Sequence, residues 1–165
     1  MRKFSIITVA VCLTVFQYVV AEQALAAEEK AKQDLITVTT PQPEAKASDT
    51  VFVGDVNVSR LLSPQIQSTV SGGYVTFRPG ARTNWHIHPQ GQLLIVTNGK
   101  GLVQQWEEAA TEIKEGDIVW IPAGVKHWHG ASPDSEMTHT AIAPIVNGKS
   151  TDWLEKVTDE QYTGK

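Results

Sequence analysis

The chain, 165 residues long, predicts an all-β domain of sandwich or barrel type, and three observations lead there. Short apolar and β-branched runs recur, turn-forming residues separate them, and the histidines fall in pairs at the two-residue period of a strand. In order, the runs are Val51 to Val58, Gly73 to Phe77, Leu93 to Thr97, Leu102 to Trp106, Ile118 to Ile121 and Thr138 to Val146. Asn98-Gly99 favours a tight hairpin because both residues tolerate positive φ, and Glu115-Gly116-Asp117 marks another turn. The end of the chain reads differently. Thr151 to Glu160 carries an N-cap candidate and apolar residues at Trp153, Leu154 and Val157, which predicts a short amphipathic helix laid against the β-structure. Residues 51–165 suffice for one domain with one sizeable core, and no second domain is needed.

The N-terminal region has another character. Arg2 and Lys3 precede an apolar stretch from Phe4 to about Ala21, and Ala24-Leu25-Ala26 offers a small-x-small cleavage pattern. Residues 1–26 are therefore expected to be an export signal that directs the protein to the periplasm or outside the cell, and its cleavage would leave no stable membrane anchor. The competing reading is an uncleaved anchor, since the apolar stretch approaches the length that spans a bilayer. Residues 27–50, rich in Ala, Glu, Lys, Thr and Pro, are expected to form a flexible linker or arm, with Leu35 to Thr39 as an alternative edge strand.

Cys12 is the sole cysteine and lies within the leader, so the mature chain has no disulfide framework, no thiolate ligand and no cysteine nucleophile. Cleavage after Ala26 removes two cations and one anion, which moves the formal net charge from −4 to −5. An acidic chain without a basic stripe gives no reason to expect a nucleic-acid or anionic-lipid partner. A small-molecule substrate is the expected partner, with a homodimer or higher homo-oligomer as an open option.

All five histidines, His86, His88, His127, His129 and His139, lie in the second half of the chain. In a strand, residues i and i+2 share a face, so His86 with His88 and His127 with His129 can each converge on one point. Two such pairs suggest a metal site, because neutral imidazole is the commonest side-chain ligand near neutral pH. A single pair on a solvated strand face would be the plain alternative. The tryptophans read first as core and second as pocket wall.

Two stretches carry a resemblance. Gly80 followed by His86-Ile87-His88, Gln92 and Gly99, and Gly116 followed by Pro122, Gly124 and His127, resemble the two cupin motifs. This implies a single jelly-roll-like cupin β-barrel around one metal. Two positions depart from the general pattern: Gln92 stands where most cupins carry Glu, and Ala131 where Asn is usual. Pro79 to Thr83, Leu94 to Thr97, Lys126 to Ala131, Met137 to His139, Asp152-Trp153 and Val157 to Tyr162 are similar to the bacterial cupin hydroxynitrile lyases, over most of residues 51–162.

That resemblance implies His86, His88, Gln92 and His127 as ligands of one divalent ion, manganese first, with iron, zinc, cobalt or nickel also compatible. It implies His139 as the acid-base residue. A wholly neutral ligand set leaves the ion its full charge, which favours Lewis-acid chemistry over oxygen activation. Gln92 as a non-ligand beside a three-histidine site stays open, as does His129 between a pocket wall and a solvated position. The expected activity is cleavage or formation of cyanohydrins. A non-catalytic cupin that binds a small molecule or carbohydrate, and a metal-dependent isomerase or dioxygenase, are the alternatives.

Overall fold

The computed structural model describes residues 18–28 and 36–164. The chain divides into two compact units, Met1–Val38 and Thr39–Lys165. Most of the expected export leader lies outside the described residues; within the first unit, residues 18–28 are helical and exposed. No helix among the described residues is long and apolar enough to cross a membrane.

The second unit is built of antiparallel strands that share one long member. On one side lie β1 (Ala45–Lys46), β3 (Val56–Arg60), β4 (Val70–Phe77), β11 (Met137–Pro144), the first half of β7 (Gln92–Gln105), and β9 (Ile118–Ile121). On the other lie β2 (Phe52–Val53), β5 (Arg82–Thr83), β10 (His127–Ala131), the second half of β7, and β8 (Thr111–Lys114). Here β6 (His86–Ile87) pairs with β10, and β12 (Asp152–Trp153) pairs with β6. Alternate residues along each strand face inward, so Val56, Val75, Phe77, Val96, Ile113, Ala131 and Met137 meet in one buried cluster.

The hairpin expected at Asn98-Gly99 does not form. Leu93 to Thr97 and Leu102 to Gln105 belong to one continuous strand, and its partners change just after that dipeptide: Leu93 to Gly99 pair with β11, whereas Gly101 to Gln105 pair with β10. Gly99, at φ 72°, supplies the bend that carries β7 from one side of the barrel to the other. A β-carbon there would overlap the Glu136 carbonyl. The turn at Glu115 to Asp117 does form, with Gly116 at φ 91° and the Asp117 amide donating to the Lys114 carbonyl at 2.9 Å.

Two boundaries are set by strand pairing and by capping. The stretch 27–50, expected as a flexible linker or arm, contributes the exposed two-residue β1 from its C-terminal part. Ala45 and Lys46 pair with Val58 and Asn57, and the Gln42 amide donates to the Arg60 carbonyl at 2.7 Å. The pairing satisfies an edge of β3 that would otherwise lie open, which composition does not reveal. The alternative edge strand does not form at Ile36 or Val38, both more than nine-tenths exposed.

The C-terminal helix begins later than expected, at Asp159–Thr163. Its N-cap is Thr158, whose side chain accepts from the Gln161 amide while the Gln161 side chain accepts from the Thr158 amide. Trp153, assigned to that helix from its spacing, lies in β12 opposite His86. The helix is held by Arg82, buried beneath it, which donates to the Val157 carbonyl at 2.9 Å and to Asp159 at 2.6 Å. Tyr162 adds a hydrogen bond to the Ala131 carbonyl at 2.8 Å and packs with Trp85, Trp128 and Val157.

Gly99 and Gly116 separate two causes of glycine dependence. Both adopt positive φ, but a β-carbon at Gly116 meets nothing within 4 Å. Gly116→Ala is expected to lower unfolding free energy by about 1 kcal/mol through backbone strain, and Gly99→Ala by about 3 kcal/mol because overlap is added. Urea denaturation of the two variants measures the difference; equal losses would show that the Glu136 contact yields without consequence.

Candidate metal centre

Four strand segments bring the expected residues together. His86 sits on β6, His88 just beyond it, Gln92 opens β7, His127 and His129 lie on β10, and His139 on β11. Cross-strand pairing sets His127 opposite His86. Strand parity works as expected for both pairs: the His86 and His88 ring centres are 5.1 Å apart, and those of His127 and His129 are 5.9 Å apart. All five rings and the Gln92 side chain are buried, the most exposed being Gln92 at 5%.

Burial of so many imidazoles requires that they be uncharged and oriented. His86 Nδ1 lies 3.0 Å from the Asn84 carbonyl, His127 Nδ1 2.9 Å from the Val125 carbonyl, and His88 Nδ1 2.7 Å from the Ser150 carbonyl. A carbonyl only accepts, so each Nδ1 carries the proton and each Nε2 is left with a lone pair. This is how ligating histidines are held, with the far nitrogen fixed by a backbone oxygen. His88 Nε2 is buried and has no partner within the protein. His127 Nε2 meets Gln92 Oε1 at 3.2 Å, which sets two acceptors against each other. Two lone pairs and an orphaned third converging in a buried space suit a cation.

The geometry also extends the expected set. His86, His127 and His129 each offer a nitrogen such that all three atoms lie within 4.8 Å of one another. His86 and His127 are thus common to the expected set and to this triad. His129 differs in its second nitrogen, which faces His139 instead of a carbonyl: His129 Nδ1 and His139 Nε2 are 3.0 Å apart. The outer atoms of this pair, His129 Nε2 and His139 Nδ1, are both buried without partners. His139 packs on Phe77, with ring centres 5.4 Å apart, and has no exposed surface.

Electrostatics follow from burial. Desolvation is the first cause for every ring, and it holds His127 and His139 at a pKa of about 4. It also pushes His86 and His129 well below the ordinary value, assisted by His127 for His86 and by His139 for His129. His88 is lowered too, against the opposing pull of the Ser150 carbonyl. All five are neutral at pH 7, so the nitrogens that face inward are available as donors to a cation or a proton.

A cavity of about 1040 Å³ opens onto His86, His88, Gln92 and His129. His139 stands behind His129. Trp153 and Phe52 form part of the wall, with Trp153 40% exposed and its ring 4.8 Å from that of His86. No aspartate or glutamate lines this space among the described residues.

Known proteins share this fold and much of this sequence. A family model described as a cupin domain matches residues 73–142. A curated (R)-mandelonitrile lyase from Granulicella tundricola is 50% identical over 121 residues, which cover 73% of this chain and 92% of that protein. The chain belongs to the cupin family. A cupin-like protein from Thermotoga maritima matches this cupin with a TM-score of 0.69 and 41% identity, over 78% of this chain and 96% of that one. A predicted oxalate decarboxylase from Thermotoga maritima, at 18% identity and TM-score 0.56 over 67% of this chain and all of its own, shares the fold alone.

Sequence reasoning missed the part that β12 plays in this cupin. Ser150 orients His88 through a carbonyl, which carries no side-chain signal, and the helix expected from Thr151, seven residues before the observed cap at Thr158, takes in Trp153. The Thr158-x-x-Gln161 capping box was the available sign that the helix begins beyond Trp153.

The lowered pKa values give a pH prediction with a definite sign. The unfolded chain, with imidazoles near 6.5, binds protons before the folded one. Stability of the metal-free protein is therefore complete above pH 6.5 and falls as pH drops toward 4. Each of the two rings held near 4 withdraws up to about 3 kcal/mol. Urea midpoints measured in chelator between pH 8 and pH 4 check this, and a midpoint flat from pH 7 to pH 5 would contradict it.

Proposed function

We propose that this cupin is a metal-dependent lyase that cleaves and forms cyanohydrins, working in an exported form of the protein. The observation that carries the reading is the meeting, at one cavity, of an oriented neutral ligand set with a second buried histidine pair. Support comes from the 50% identical relative, named as a mandelonitrile lyase. His86, His88, Gln92 and His127 would hold one divalent ion, manganese by resemblance, which supplies Lewis acidity toward a substrate oxygen when bound.

The protein's own residues account for the remaining chemistry. A cyanohydrin loses its hydroxyl proton while the carbon–cyanide bond breaks, with the electron pair leaving on cyanide; the proton then joins cyanide, giving aldehyde and hydrogen cyanide. The His129–His139 pair can hold that proton. With His129 Nδ1–H donating to His139 Nε2, His129 Nε2 is free to accept from the cavity while its other proton passes to His139. Burial disfavours the charged pair, so the proton is readily returned to the leaving anion. With no carboxylate among its described lining, the cavity neither repels cyanide nor competes for that proton. His139 thus acts at one remove from the cavity, with His129 between it and the substrate.

Metal-loaded protein is expected to release cyanide from mandelonitrile, and His139→Ala to lower kcat by at least about a hundredfold with metal content unchanged. His129→Ala should do likewise, whereas His88→Ala should lose metal. Cyanide release with elemental analysis of each variant reads both effects. Undiminished turnover in His139→Ala would remove the relay, and retention of metal by His88→Ala with loss by His129→Ala would make His86, His127 and His129 the binding set.

A further inference from the structure

The cavity is larger than a simple aryl cyanohydrin needs, and its far side has its own chemistry. On β3, Val56, Val58 and Arg60 share the inward parity: Val56 is in the core, and Val58 and Arg60 both line the cavity. Arg60 lies opposite Gly73 on β4, and Gly73 lies opposite Ala141 on β11. Small residues thus leave room beside it.

Arg60 is exposed at the cavity mouth and forms no ion pair with any described residue. Lys46, on neighbouring β1, lines the same mouth and is held only by a loose contact with Asp55 at 3.9 Å. The chain as a whole has more acids than bases, 18 Asp and Glu against 14 Lys and Arg, yet this cavity has two cations and no acid among its described lining. The inner ligand set is neutral as well, so nothing in the cavity offsets a cation bound there.

We propose that the cavity takes a substrate with a carboxylate distant from its reacting end, and that Arg60 binds that carboxylate. The proposal rests on the lyase reading for the identity of the reacting end. A planar guanidinium with its donors free matches a carboxylate two-on-two, which a neutral or cationic substrate would not use. Register fixes the scale. His139 pairs with Val75, Val75 with Val58, and Arg60 is one inward position further along β3, so Arg60 and His139 are about 12 Å apart at their α-carbons. His129 stands between His139 and the cavity, so the reacting end lies within that span, and a para-substituted benzene ring is the spacer tested.

The test compares mandelonitrile with 4-carboxymandelonitrile on metal-loaded wild type, Arg60→Gln and, as a remote control, Lys114→Gln. The ratio of kcat/KM for the carboxylated over the plain substrate is expected to exceed one in wild type. It should fall about tenfold in Arg60→Gln, chiefly through KM, shrink in high salt, and stay unchanged in Lys114→Gln. A ratio that Arg60→Gln does not move overturns the inference and leaves the lyase reading standing. Should neither compound release cyanide, the lyase reading fails by itself. Calorimetric binding of 4-(hydroxymethyl)benzoate against benzyl alcohol then decides the carboxylate site. Preference for the anion, lost in Arg60→Gln, supports it, and equal binding overturns it.

Discussion

The constraint on which this structure depends is that five imidazoles are buried together without charge. Water would otherwise solvate each ring, and removing it costs several kcal/mol for any ring left protonated or without a partner. The protein meets this by assigning Nδ1 of three rings to carbonyls of Asn84, Val125 and Ser150 and by pairing the remaining two, His129 with His139. Those carbonyls come from the approach to β6, the approach to β10 and the approach to β12, so the site is held by backbone from three separate parts of the chain. What is left over is a small set of inward lone pairs, and that residue of unsatisfied valence is the site's chemistry.

The barrel is arranged to make this possible. β7 bends at Gly99 so that one strand forms part of both sides, with Gln92 at its start and the partners of β10 at its end. β10 in turn carries His127 to Gln92 and His129 to His139, two residues apart on one face. Arg82 and the capped C-terminal helix close the chain over β10 from outside, where Trp128 and Tyr162 pack. Rigid support thus reaches the histidines from behind, while the cavity face stays open.

The rings also differ in what holds them. Rings tied to carbonyls, His86 and His88, and a ring tied to another imidazole, His129, all reach the cavity, while His127 meets Gln92. An imidazole bound to a carbonyl has a fixed tautomer and is a steady ligand, whereas one bound to a second imidazole can exchange its proton with that neighbour. The five rings of this cupin therefore fall into two kinds by what stands behind each: a carbonyl for His86, His88 and His127, and a second imidazole for His129 and His139.

The sequence by itself determined a β-barrel with a buried histidine cluster, because strand alternation puts residues i and i+2 on one face and makes His-x-His a directional signal. Resemblance to the cupin motifs grouped His86, His88, Gln92 and His127 and set His139 apart. Short-range capping chemistry at Thr158 was legible too, although the apolar spacing around Trp153 was read in its place. Tertiary structure alone decided that Asn98-Gly99 bends a strand instead of closing a hairpin, since a glycine's positive φ serves either purpose and only the partner strands select one. It alone decided that Ser150 orients His88, that His129 stands between His139 and the cavity, and that Arg60 faces the same space. Each of these depends on which strands lie side by side, and pairing between distant segments leaves no mark in local composition.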